Sequence, residues 1–113
     1  MNNKWKALNS IEQLDAIILE SNNNPSVIFK HSTRCSISTM ALNRLEKLDS
    51  TFYDKVHFYY LDLIAYREVS NAIAEKLSVH HESPQVVWVE NGECTYDASH
   101  MEINCNELVE QLK

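Results

Sequence analysis

A chain of 113 residues with 16 acidic against 10 basic side chains, for a net charge of −6, lacks the clustered basic face that nucleic acid requires. Its composition, 44% hydrophobic and 23% charged, is that of one ordinary globular domain spanning residues 1–113, large enough to bury roughly two thirds of its unfolded surface. No apolar run approaches the roughly 18 residues that span a bilayer, and a single glycine, Gly92, leaves no glycine-rich phosphate loop. Met1-Asn2-Asn3-Lys4-Trp5-Lys6 is followed by no apolar stretch of the signal-peptide kind, so a cytoplasmic location is expected, with neither membrane nor nucleic acid as partner.

Along the chain, Ser10-Ile11-Glu12-Gln13 reads as a capping box. Ile11, Leu14, Ile17 and Ile18 then mark one face of a helix running to about Ser21, which Asn22-Asn23-Asn24-Pro25 stops. Ser26–His31 reads as a strand, apolar at first and polar at its end, followed by Ser32-Thr33-Arg34. From Cys35 onward, Ile37, Ala41, Leu45 and Leu48 recur at helical spacing and predict a second helix ending near Asp49-Ser50. Residues 55–62, rich in aromatic and β-branched side chains, predict a strand, and residues 66–77 a third helix with Val69, Ile73 and Leu77 on one face. Gln85–Glu90 predicts a strand, Asn91-Gly92 a hairpin turn, and residues 93–97 its antiparallel return. Asn104-Cys105-Asn106-Glu107 is a second capping box, opening a last helix through Leu112.

This order, α-β-α-β-α-β-β-α, makes the first two strands parallel with a right-handed crossover and adds an antiparallel hairpin. The expected fold class is α/β, a small mixed sheet with helices on both faces. Such sheets bind ligands beyond the carboxyl ends of their parallel strands, which is where Cys35 falls.

Three cysteines at spacings of 59 and 11 match neither a disulfide framework nor a zinc site. In a reducing compartment they are expected as thiols. Cys35 lies between a strand's end and a helix's start, among unpaired N–H groups at the positive end of the helix dipole, which favour thiolate over thiol. Lys30, His31 and Arg34 add local positive charge. The position that would carry the second thiol of a Cys-x-x-Cys pair holds Ser38, so one activated sulfur is expected. Ser83-Pro84 stands immediately before a strand, where proline is tolerated, and is a position at which a cis bond can occur.

The run Ile28-Phe29-Lys30-His31-Ser32-Thr33-Arg34-Cys35-Ser36-Ile37-Ser38, with Glu82-Ser83-Pro84-Gln85 and Ala98-Ser99-His100, resembles the monothiol bacilliredoxins, thioredoxin-like proteins of the bacillithiol system. The likeness extends from Trp5 to the last helix. It implies a thioredoxin-like fold in which Cys35 faces a cis Pro84 and the backbone of Ser83 pairs with an extended substrate. It also implies a monothiol thiol–disulfide oxidoreductase, in which Cys35 takes bacillithiol or a similar small thiol from a protein mixed disulfide. No bound cofactor is implied; the low-molecular-weight thiol is a cosubstrate. The partners would be thiolated client proteins and a second thiol molecule or a reductase for regeneration.

Thr33, Arg34 and Lys30 are then candidates to hold the small thiol, bacillithiol being an anionic, malate-bearing one. Ser38 would either hydrogen-bond the thiolate or cap backbone, and His31 would supply charge or a structural hydrogen bond. Ser36 departs from the proline that the family often carries after its cysteine, and Phe29 stands where thioredoxins carry a buried carboxylate. Two alternatives stay open. One is an iron–sulfur carrier of the monothiol-glutaredoxin kind, although Ser36-Ile37 lacks the glycine room of Cys-Gly-Phe-Ser; the other is a non-catalytic adaptor. Cys94 and Cys105 are expected to be structural. No metal site is expected, since the adjacent His80 and His81 suit shared coordination with Cys94 or Cys105 poorly.

Overall fold

The computed structural model describes residues 4–112. Five strands form one mixed sheet: β1 (Trp5–Ala7), β2 (Ser26–His31), β3 (His57–Asp62), β4 (Gln85–Glu90) and β5 (Glu93–Ser99), in the spatial order β1-β3-β2-β4-β5. β1 and β2 both run parallel to β3, whereas β4 is antiparallel to β2 and β5 to β4. β2 is buried at all six positions because it has a strand on each edge and helices on each face.

On one face, α1 (Ile11–Glu20) and α4 (Arg67–Lys76) pack Leu14, Ile17, Val69 and Ile73 against Ile28, Leu61 and Val87. On the other, α2 (Ser36–Leu45), α3 (Ser50–Lys55) and α5 (Cys105–Glu110) pack Ala41, Leu45, Phe52 and Leu108 against Val27, Phe29, Phe58 and Trp88. The layout is the expected α/β sheet covered on both sides.

Local chemistry sets the helix ends. Ser10 Oγ accepts the Gln13 N–H at 3.1 Å, while the Gln13 side chain accepts from Asn9 N and donates to Ala7 O, tying α1 to the end of β1. Asn104 Oδ1 accepts the Glu107 N–H at 2.9 Å and opens α5. In the hairpin, Asn91 and Gly92 take φ of 55° and 80°, the left-handed pair that a two-residue turn needs.

Two elements differ from expectation. β1 was not anticipated; it is a three-residue edge strand paired to β3. The second helix stops at Leu45, and Asp49 caps a separate α3 by accepting the Thr51 N–H at 2.9 Å. Leu48 is still buried, but from the connection between the two helices.

Three segments meet at one end of the sheet. Parallel pairing sets His31 against Asp62, and antiparallel pairing sets Lys30 against Gln85. The turns after β2 and β3 and the approach to β4 therefore lie side by side.

Candidate functional site

Beyond His31 the chain turns through Ser32-Thr33-Arg34, and the Cys35 N–H closes the turn on Ser32 O at 3.1 Å. Cys35 is the N-cap of α2, with extended backbone, and its carbonyl accepts the first helical bond from Thr39 N at 3.1 Å. Its side chain makes no capping bond. A half-buried sulfur is thus left at the start of a ten-residue helix, beside its first-turn N–H groups.

Ser38 fixes this turn from beneath. Its fully buried hydroxyl accepts the Ser32 N–H at 3.0 Å and lies 2.6 Å from His31 Nδ1. The hydroxyl oxygen thus links the Ser32 N–H to the His31 ring. Burial pushes the His31 pKa down, against the pull of Asp62, and the neutral ring stacks on Phe29 with centroids 5.6 Å apart. His31 makes the structural hydrogen bond, and its burial works against a charged ring. Ser38 serves backbone, as one of its two expected roles had it, but the backbone of the Cys35 turn rather than of the helix.

Thr33 and Arg34 are exposed beside Cys35. Lys30 does not join them. Successive strand residues point to opposite faces, so with His31 turned toward α2, Lys30 points toward α4. Its side chain is fully buried, with Nζ 3.2 Å from His81 Nδ1. Burial lowers the Lys30 pKa to about 8, with Asp97, Cys94 and Glu82 pulling the other way. The expectation that Lys30 belongs to a surface around the sulfur is corrected accordingly.

The second wall is the approach to β4. The Ser83–Pro84 peptide bond is cis, Pro84 is buried, and Pro84 O accepts the His100 N–H at 3.0 Å. Behind it, the fully buried Gln85 donates to His80 O at 2.9 Å and to Asp97 Oδ2 at 3.3 Å, and accepts from Glu82 N at 3.4 Å. The sequence drew attention to Gln85 only as part of the run Glu82-Ser83-Pro84-Gln85 and to His81 only as a poor metal ligand, and gave neither this role. The available signal was a polar residue at the first position of a buried strand, which has to find partners.

Neither other cysteine reaches Cys35. Cys105 donates from Sγ to Arg44 O at 3.0 Å. Arg44 lies nine residues along α2 from Cys35, about 13 Å at the helical rise, whereas a disulfide needs Cα atoms within about 7 Å. Cys94 pairs with Val89, at the end of the β4–β5 ladder away from Ser83-Pro84, and its thiol donates to Tyr96 O at 3.4 Å. Burial raises the pKa of both thiols. They pack against opposite faces of the sheet, which also keeps them from sharing a metal. Ile37 and Met40 on α2, and Met101 in the turn packed against that helix, are exposed apolar side chains.

Comparison with known proteins agrees with this geometry. The family model described as "Monothiol bacilliredoxin BrxC" matches residues 6–108. The chain is similar to a candidate oxidoreductase with a thioredoxin fold, at 33% identity and a TM-score of 0.83, covering 96% of this chain and 94% of that one. It is also similar in fold to thioredoxin O2 from Arabidopsis thaliana, at 21% identity and a TM-score of 0.76 over 99% and 96% of the two chains. Fasciola hepatica thioredoxin matches at 21% identity and a TM-score of 0.71 over 95% of each. The fold is that of thioredoxin.

Proposed function

Because the chain belongs to the monothiol bacilliredoxin family, we propose that Cys35 is the nucleophile of an exchange that removes bacillithiol, or a similar small thiol, from protein mixed disulfides. Family and fold make the protein thiol oxidoreductase-like; the small thiol and the clients are the further step. The observation that carries this reading is the isolation of one half-exposed sulfur, at an uncapped helix start, in a turn held by Ser38.

The Cys35 thiolate attacks the small-thiol sulfur of the mixed disulfide. A Cys35–small-thiol disulfide forms, the original S–S bond breaks, and the client sulfur leaves as a thiolate that takes a proton from water. A second small-thiol thiolate, or a reductase thiolate, then attacks the small-thiol sulfur of the adduct, forming a new disulfide to it and breaking its bond to Cys35, which leaves as a thiolate. No second protein sulfur takes part, which fits Ser38 and the remoteness of Cys94 and Cys105. The client chain would lie along the backbone at Ser83-Pro84, with Thr33 and Arg34 beside the small thiol's carboxylates. Three free thiols fit work in a reducing compartment such as the cytoplasm.

A substitution series on a model client carrying a bacillithiol mixed disulfide tests the reading. Cys35→Ser is expected to abolish release of the client thiol, while Cys94→Ser and Cys105→Ser keep it within about twofold of the parent, since surface or peripheral changes have small effects. Release by Cys35→Ser would overturn it. An iron–sulfur carrier would instead turn brown on anaerobic reconstitution, and we expect a colourless protein.

A further inference from the structure

Lys30 is a buried charge for which the exchange chemistry has no use, and its surroundings point to a task. Its ammonium can only donate, so the His81 Nδ1 that faces it at 3.2 Å must present a lone pair, which places the His81 proton on Nε2. Ser70 Oγ of α4 lies 3.4 Å from the same nitrogen. His81 sits between two backbone groups already held from the neighbouring strand, because Gln85 bonds His80 O and Glu82 N. Lys30 and Gln85 are themselves partners in the β2–β4 register. Two buried polar side chains on adjacent strands thus grip residues 80–82 from below, immediately before Ser83 and the cis Pro84.

We propose that Lys30 is a positioning residue for this site: through neutral His81 it holds the segment that presents Ser83-Pro84, and protonation of His81 releases that segment. A proton on Nδ1 would remove the only acceptor on that ring and set two cations against each other in a poorly hydrated place. Other charged or titratable groups face the pair from each packed element: Arg67 on α4, Asp97 and Cys94 on β5, and His80 and Glu82 on the segment itself. Arg67 and His80 work against a cationic His81 and Glu82 works for it, while burial, the largest influence, favours the neutral ring.

The inference builds on the proposed exchange, but its primary test needs no substrate. The His81 ring nitrogens and the Ser83 amide are followed by NMR from about pH 7 to about pH 5, a range in which histidines titrate and Lys30, with a pKa of about 8, stays charged. The variants are Lys30→Met, which keeps the stem without the charge, and His81→Asn, whose oxygen accepts from the ammonium and does not titrate. In the parent protein we expect the Nε2–H tautomer at neutral pH and a Ser83 amide shift that follows the His81 titration. In Lys30→Met the Ser83 amide should stand at neutral pH where the parent brings it only in acid. In His81→Asn it should be flat.

An Nδ1–H tautomer, a Ser83 amide indifferent to His81, or a parent-like Ser83 amide in Lys30→Met overturns the inference. In the exchange assay, Lys30→Met should lose roughly tenfold in kcat/KM toward a peptide mixed disulfide, the scale of a small misplacement, while alkylation of Cys35 by iodoacetamide is unchanged. Equal losses in both, or none in either, also overturn it. Failure of the parent to exchange at all would remove the proposed function and leave the NMR arm to decide the latch.

Discussion

Ser38 occupies the position of a second sulfur, and its hydroxyl joins the Ser32 N–H to His31 Nδ1 at 3.0 and 2.6 Å. Ser38→Ala leaves the buried His31 Nδ1 and the part-buried Ser32 N–H without that partner, so we expect a loss of about 1–3 kcal/mol, the usual cost of an unsatisfied buried polar group. It would be read as a lower urea midpoint at unchanged slope; a midpoint equal to the parent's would show that Ser38 does not hold the turn. Cys35 was legible in the sequence because a strand-end-to-helix-start cysteine is a local pattern. Lys30 was not. A polar Lys30-His31 end to an apolar strand reads as emergence into solvent, yet β2 lies between β3 and β4 under helices, so both residues are buried. Their partners come from His81, 51 residues away, and from Ser38 across the turn, and no local spacing reports either.

At the scale of elements, the strong local signals were readable. Ser10 and Asn104 cap their helices as the two capping-box patterns predict, although Gln13 returns its bond to Asn9 N rather than to Ser10 N, and the Val69, Ile73 and Leu77 stripe is buried on α4 and its C-cap. Asn104→Ala should therefore cost about 1 kcal/mol through loss of the α5 cap, measured by urea unfolding, and no change would mean that α5 is held by packing alone. Gly92→Ala meets no neighbouring atom but keeps a φ of +80°, so its cost should come from backbone strain alone, about 1 kcal/mol. An unchanged midpoint would contradict this. β1 and α3 were missed for different reasons. Three residues are too few to show alternation, and Leu48 prolongs the helical spacing past Leu45 although Asp49 restarts the chain.

For the molecule as a whole, the element order was enough to give the mixed sheet covered on both faces and the end of it where the sulfur sits. Tertiary burial then adds a pH dependence that no single element carries. Burial holds the pKa of both His31 and His81 below the ordinary 6.5. Below that value the unfolded chain binds protons that the folded chain refuses, so stability present at neutral pH is lost as pH falls from about 6.5 through the lowered values. The urea midpoint should drop between about pH 7.5 and about pH 5.5, and added salt should leave most of the drop, since desolvation leads in both cases. A midpoint that rises over this range would contradict the account. If one sulfur carries the exchange, mass spectrometry of the protein, stopped by acid while it turns over a client's bacillithiol mixed disulfide, should find one bacillithiol adduct on the peptide containing Cys35 and free thiols at Cys94 and Cys105. An adduct on either of those two, or an internal disulfide, would show that a second sulfur takes part.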